Sequence, residues 1–146
     1  MNADLARARQ LLGAEQLTLA VVRGDELWTS TARGLATLLA WQADPDVDLA
    51  GASAADLVVG KAAALLYVAA GVETVWAQLM SQTAVDVFTA HGIAFDAEQH
   101  TAVIRNRAGD GCCPMELAVQ RIDDPVLAPR VLRERIASLK AAPAGA

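Results

Sequence analysis

Aromatic side chains are scarce in this 146-residue chain, at 4% of positions, so its core must be built mostly from Leu, Val and Ala. Cysteine occurs only twice, as the adjacent pair Cys112 and Cys113. Bridging neighbours strains the backbone, so free thiols in a reducing compartment are the better reading. The two histidines, His91 and His100, stand in no metal-ligand motif. The longest apolar run, over residues 62–72, is shorter than the ~18 residues of a membrane span, and Lys61 precedes it. The N-terminal stretch carries Asp4, Arg7 and Arg9 in an amphipathic pattern without a signal-peptide core. A cytoplasmic protein with no membrane partner is expected. The 12 Lys and Arg are scattered and the net charge is −5, which argues against a nucleic-acid-backbone partner.

What is present is apolar: 54% of residues are hydrophobic, enough for a single core-forming domain over residues 1–140. Residues 141–146 are expected to be a disordered tail. Leu5, Ala8, Leu11 and Leu12 mark a first amphipathic helix over 4–13. An apolar, partly β-branched strand over 17–22 and the pair Gly24-Asp25 predict a two-residue hairpin with glycine first. A short helix follows over 34–41, then the acidic loop 44–48. Residues 53–70 read as a long buried helix, capped by Ser53 with Asp56 three residues on. A strand over 72–80, a helix from Ser81 to His91-Gly92, and strands over 93–97 and 101–104 come next. Asp124-Pro125 is expected to cap a last helix reaching residue 139. A hairpin followed by alternating helices and strands implies a mixed sheet covered by helices, a three-layer α/β/α sandwich.

The segment Gly109-Asp110-Gly111-Cys112-Cys113-Pro114-Met115-Glu116 is the richest in chemistry. Pro114 suits the first position of a helix, which makes Cys113 its N-cap. There the sulfur lies near unpaired N–H groups and the positive end of the helix dipole, conditions that favour a thiolate. Cys113 is therefore a candidate nucleophile or redox-sensitive thiol, against the ordinary role of a small buried hydrophobe. Cys112 lacks the helix-end argument. Glu116 ordinarily closes a capping box on its own helix, with a catalytic role as the alternative. Asp56 reads as a capping carboxylate or a ligand contact. Lys61 interrupts a buried apolar helix and must reach solvent, pair with an acid or face a polar pocket. On a helix Ser53, Asp56 and Gly60 share one row with Lys61 a step round, and Gly60 allows close approach of a ligand. Asn106 and Arg107 lead into the cysteines and could bind an amide or anion. Trp28, Trp41 and Trp76 are expected in the core or at an interface.

Several blocks together resemble a small uncharacterised prokaryotic family, a domain of unknown function with a cytidine deaminase-like fold. They are Leu17-Thr18-Leu19-Ala20-Val21-Val22, Ala55-Asp56-Leu57-Val58-Val59-Gly60-Lys61-Ala62-Ala63-Ala64 and Cys113-Pro114-Met115-Glu116, with Arg33-Gly34 and Asp123-Asp124-Pro125 fitting the same pattern. The resemblance spans residues 11–139 and implies a fold rather than an activity. True deaminases hold zinc with a His or Cys near a Glu at one helix start and a Pro-Cys-x-x-Cys at another. Here Ser53-Ala54-Ala55-Asp56 offers no His or Cys, and the two cysteines are adjacent rather than spaced. Zinc-dependent deamination is therefore not expected, and no cofactor is implied.

Two functional expectations follow. One is a zinc-free binding protein for a small nucleotide-like or amide ligand, held by Ser53, Asp56, Gly60, Lys61 and Asn106 between two helix starts. The other is a thiol-dependent enzyme with Cys113 as nucleophile and Glu116 in support, although no dedicated His partner is evident. A homo-oligomer is expected by the resemblance, through Trp41 or the final helix.

Overall fold

In the computed structural model, residues 2–32, 35–105, 111 and 113–141 are described. Helix α1 (Ala3–Ala14) begins at Asn2, whose side chain accepts from the Leu5 amide at 2.6 Å. The hairpin follows as expected, β1 (Leu19–Arg23) and β2 (Glu26–Ser30), with Arg23 opposite Glu26 across the two-residue turn. Gly24 supplies the positive φ of 58° that this turn requires. Helix α2 (Ala36–Ala43) precedes the acidic loop.

Residues 53–70 depart from the single helix read in the sequence. They form a strand, β3 (Ser53–Val59), and a separate helix, α3 (Lys61–Ala70), divided by Gly60. The physical reason is burial on both faces. β3 lies between β1 and β4, and most of its side chains are inaccessible. A strand buried on both sides has no polar–apolar alternation, so its apolar run looks like a buried helix. The expected Ser53–Asp56 capping box therefore does not exist.

The remaining elements are β4 (Thr74–Ser81), α4 (Gln82–His91), β5 (Ala94–Thr101), α5 (Pro114–Ala118) and α6 (Ala128–Ala141). Ser81 caps α4 through the Ala84 amide, and Gly92 ends it in the left-handed conformation, as expected. Of the two strands expected after α4 only the first forms, extended to Thr101, and residues 102–104 lie outside any strand. β5 is an edge strand whose polar Glu98, Gln99 and His100 mask the pattern after Ala97. The last helix starts later than expected. Asp124 instead organises a turn, its side chain accepting from Val126 N and its carbonyl from Leu127 N. Pro129 sets the start, because proline fits only the first turn of a helix.

The five strands form one mixed sheet in the order β2-β1-β3-β4-β5. β1 runs antiparallel to β2 and β3, whereas β3, β4 and β5 are mutually parallel. Helices cover both faces. On one, Leu5, Ala8 and Leu12 of α1 pack against Ala20, Val22, Ala55 and Trp76. On the other, side chains of α2, α3, α4 and α6 meet Leu19, Val21, Ala54, Val75 and Ala77. Trp41, expected in the core or at an interface, packs partly buried against this larger core. The resembling pair Arg33-Gly34 and the expected tail beyond Ala141 lie outside the described residues.

The α1 side depends on one large side chain. Trp76 is 8% exposed and carries the Arg9 guanidinium 4.4 Å from its ring centroid. Trp76→Ala should destabilise the fold by about 3–5 kcal/mol, read as a fall in the urea midpoint at unchanged slope.

Candidate functional site

Helix α3 starts without a side chain able to cap it. Gly60 is its N-cap, so the first amides of the helix need a partner from elsewhere. That partner is Glu116, 55 residues away in sequence from Lys61. Its Oε1 accepts from Lys61 N at 2.7 Å and its Oε2 from Ala62 N at 2.8 Å. A carboxylate at this end also meets the positive pole of the helix dipole. Gly60 is what lets it in. A Cβ at Gly60 would collide with Glu116 Oε1, lie 2.5 Å from its Cδ and 2.8 Å from Ile104 Cγ1.

The loop after β5 delivers Glu116 to this place. Cys113 N donates to Ile104 O at 3.0 Å, and Leu117 N donates to Cys113 O at 3.1 Å as α5 begins. Pro114 occupies the first turn and Cys113 is the N-cap, as the sequence indicated. Glu116, however, does not close a capping box on its own helix. Both oxygens are engaged by α3, so the expected catalytic candidate is a tertiary cap. α5 has only five residues and the Cys113 side chain makes no capping bond.

Lys61 turns away from the same junction. Its Nζ donates to Gln120 O at 3.1 Å and meets Asp123 Oδ1 at 3.3 Å. The lysine side chain is 13% exposed and Asp123 95% exposed, so the aliphatic stem is covered while the pair lies at the solvent rim. Such a pair adds little by Coulomb attraction. Its effect is to hold the segment after α5 against α3.

Beside this junction lies a cavity of about 410 Å³. Thr18 and Leu19 contribute from β1 and its approach, Leu35 and Leu38 from α2 and its approach, and Asp56 and Val58 from β3. Gly60, Ala62 and Ala63 come from the start of α3, and Ile104, Cys113, Met115 and Glu116 close the remaining side. The wall is thus mostly apolar with a few polar atoms, the usual composition of a ligand pocket.

Asp56 is the polar residue most altered by this setting. Its Oδ2 accepts a 2.6 Å bond from the Tyr67 hydroxyl, and its Oδ1 has a long 3.4 Å contact with Val58 N. Burial raises its pKa to about 6, against the opposing effect of the Tyr67 bond and of backbone N–H groups. Tyr67 is fully buried, and burial together with the neighbouring carboxylate raises its own pKa well above the usual value.

The structure therefore gathers Asp56, Gly60, Cys113 and Glu116 around one cavity, with Lys61 at its margin. Ser53 is not among them. It sits at the opposite end of β3, where its hydroxyl meets Asn2 Oδ1 at 3.2 Å. Asn106 and Cys112 lie outside the described residues. His91 ends α4 and His100 lies on β5, both exposed. No cluster of three or more His, Cys, Asp or Glu suited to a metal occurs among the described residues. Sequence reasoning missed Tyr67, although a signal was present. The chain's single tyrosine lies in an apolar helix where its hydroxyl needs a partner, and Asp56 is the only acid between residues 53 and 72.

Comparison with known proteins assigns a family. Residues 7–136 match the family described as a domain of unknown function, DUF1893. A solved structure of a DUF1893 family protein (TM1506) from Thermotoga maritima has a TM-score of 0.83 and 24% sequence identity, with 92% of each chain covered. That likeness concerns the fold. No curated protein matches the chain. The chain belongs to the DUF1893 family.

Two outcomes test the site's construction. Glu116→Ala should destabilise the protein by about 2 kcal/mol through loss of the α3 cap, and Gly60→Ala should do so comparably by expelling the carboxylate. In the double variant the losses should fall well short of additive, measured by denaturant unfolding. The second outcome concerns pH. A carboxyl whose folded pKa exceeds its unfolded value stabilises the fold only while protonated. The stability of wild type relative to Asp56→Asn should thus decline as pH rises from about 4 to about 6 and level off above, followed by chemical unfolding at each pH.

Proposed function

We propose that this DUF1893 domain is a zinc-free small-molecule binding protein on a cytidine deaminase-like fold, its ligand nucleotide-like or amide-bearing. The cavity with Asp56 in its wall carries this reading. A carboxyl held on an apolar surface by a buried tyrosine retains one oxygen with little to bind. A weakly engaged acceptor of this kind in a cavity fits a ligand that completes it. The deaminase-like assignment draws support from two helix starts, those of α3 and α5, meeting beside that cavity. They meet at Gly60-Lys61 rather than at Ser53.

A second reading has Cys113 as a nucleophile towards a bound small molecule. The observation favouring it is that Cys113 is a free, partly buried thiol on the wall of the same cavity. Nucleophilic catalysis also needs a base or cation close to the sulfur. Glu116 is committed to α3 and Lys61 to Asp123, so binding remains the stronger reading.

Thermal-shift screening of nucleobases, nucleosides and primary amides, in a Cys112→Ser background, separates the two. A cavity ligand should raise Tm and slow iodoacetamide alkylation of Cys113. Binding that persists in Cys113→Ser without any turnover in the parent supports the first reading. Turnover abolished in Cys113→Ser while the Tm shift persists supports the second. A panel that neither shifts Tm nor protects the thiol overturns both.

A further inference from the structure

We propose that the cavity selects ligands presenting N–H donors, of amidine or amide type, and turns away anionic groups such as phosphate and carboxylate. This rests on the binding reading above and narrows it to the base or amide end of a ligand.

The argument comes from the hydrogen-bonding capacity of the wall. Asp56 is held by Tyr67 through Oδ2, and its other partners are the backbone N–H groups of Val58, long at 3.4 Å from Oδ1, and of Leu57, which leave the carboxyl with acceptor capacity towards the cavity. Thr18 directs its hydroxyl towards the carbonyls of Ala32 and Ser30, at 2.7 and 3.0 Å, so towards the cavity it offers lone pairs. Thr37 shares its hydroxyl with Ser30. Glu116 is acceptor-only, and its oxygens are taken by α3. Among the described lining residues there is no Lys or Arg. The side-chain lining thus accepts hydrogen bonds and has little to donate.

The start of α3, beside the cavity, already holds a carboxylate. A helix N-terminus beside a cavity is a ready anion site, and here Lys61 N and Ala62 N are bound by the chain's own Glu116 carboxylate. An incoming phosphate would have to displace that carboxylate and lie near Asp56 as well. A flat amidine or amide faces neither obstacle. Its N–H groups meet Oδ1 of Asp56, and its apolar body lies against Leu19, Leu38 and Met115.

The groups around Asp56 define the expected pH response. Tyr67 bonds it from α3, and Cys113 and Glu116 share the cavity wall. β1 and β4 place the uncharged Leu19 and Ala77 opposite it, while Lys61 is turned to Asp123. Asp56 is therefore the group whose ionisation a cationic ligand senses. With its pKa near 6, affinity for a permanently cationic probe should fall about tenfold per unit of pH below that value.

Four probes with one ring and different head groups provide the test: benzamidine, benzamide, benzoate and phenyl phosphate, titrated calorimetrically into the full chain. Benzamidine and benzamide should bind, the two anions at least about tenfold more weakly. Asp56→Asn should weaken benzamidine by about tenfold or more and leave benzamide nearly unchanged. Glu116→Ala, checked for folding by circular dichroism, should gain affinity for the anions as the helix start is vacated. If benzoate or phenyl phosphate binds wild type as well as benzamidine does, the donor-selective inference is overturned while the cavity reading stands. Benzamidine binding undiminished in Asp56→Asn overturns it equally. If none of the four binds wild type, the binding reading fails and the inference falls with it.

Discussion

The contact between the Glu116 carboxylate and the first amides of α3 organises the functional end of this molecule. Helix α3 has a glycine where a capping side chain would ordinarily stand, so its start depends on a group delivered from a distant segment. Glu116 provides that group only because α5, one and a half turns long, is fastened by Cys113 to Ile104. The same arrangement aligns Ile104, Cys113 and Met115 along one side of the cavity. Without Gly60 the carboxylate cannot approach, and without the carboxylate α5 loses its bonds to α3. Lys61 continues the connection outward through Gln120 and Asp123. Three consecutive residues, Gly60, Lys61 and Ala62, thereby tie the C-terminal region to the sheet.

Asp56 and Tyr67 form the second fixed point. Their bond spans from the middle of β3 to the second turn of α3, two elements joined only by Gly60. A buried phenol needs a hydrogen-bond acceptor, and the carboxyl supplies one on the strand face towards the cavity. The outcome is a polar group whose orientation is set by the core rather than by solvent. That distinguishes Asp56 from Asp44, Asp48 and Asp124 of the exposed loops, whose side chains accept from backbone amides of their own turns.

Much of this was legible in the chain, for identifiable reasons. Hairpin, caps and breakers are local chemistry, and Gly24, Ser81, Gly92 and Pro114 act as their residue types suggest. The two-sided burial of β3 is not local. Residues 53–59 carry no periodicity to separate strand from helix, and only the sheet decides the matter. Placing a helix there put Ser53 beside Asp56 and Gly60 on one face, whereas a strand places it at the far end. Asp56, Gly60, Cys113 and Glu116 stand out in the sequence and line one cavity, yet the role of Glu116 was hidden. Its partners are another helix's backbone amides, which carry no side-chain signature. Pro129 was visible and would have corrected the start of α6, since proline five residues into a helix breaks the amide ladder.

The long reach of the Glu116 contact also bears on the order in which the chain assembles. The hairpin and the successive β3, α3, β4, α4 and β5 units can form from neighbours in sequence. Lys61 and Glu116 are 55 positions apart in sequence, and the entropic cost of so long a closure is met only after the sheet exists. An interaction absent from the transition state alters the rate of unfolding rather than of folding. The cap then works as a latch on a finished structure. It lengthens the lifetime of the native state and leaves the speed of reaching it to the sheet.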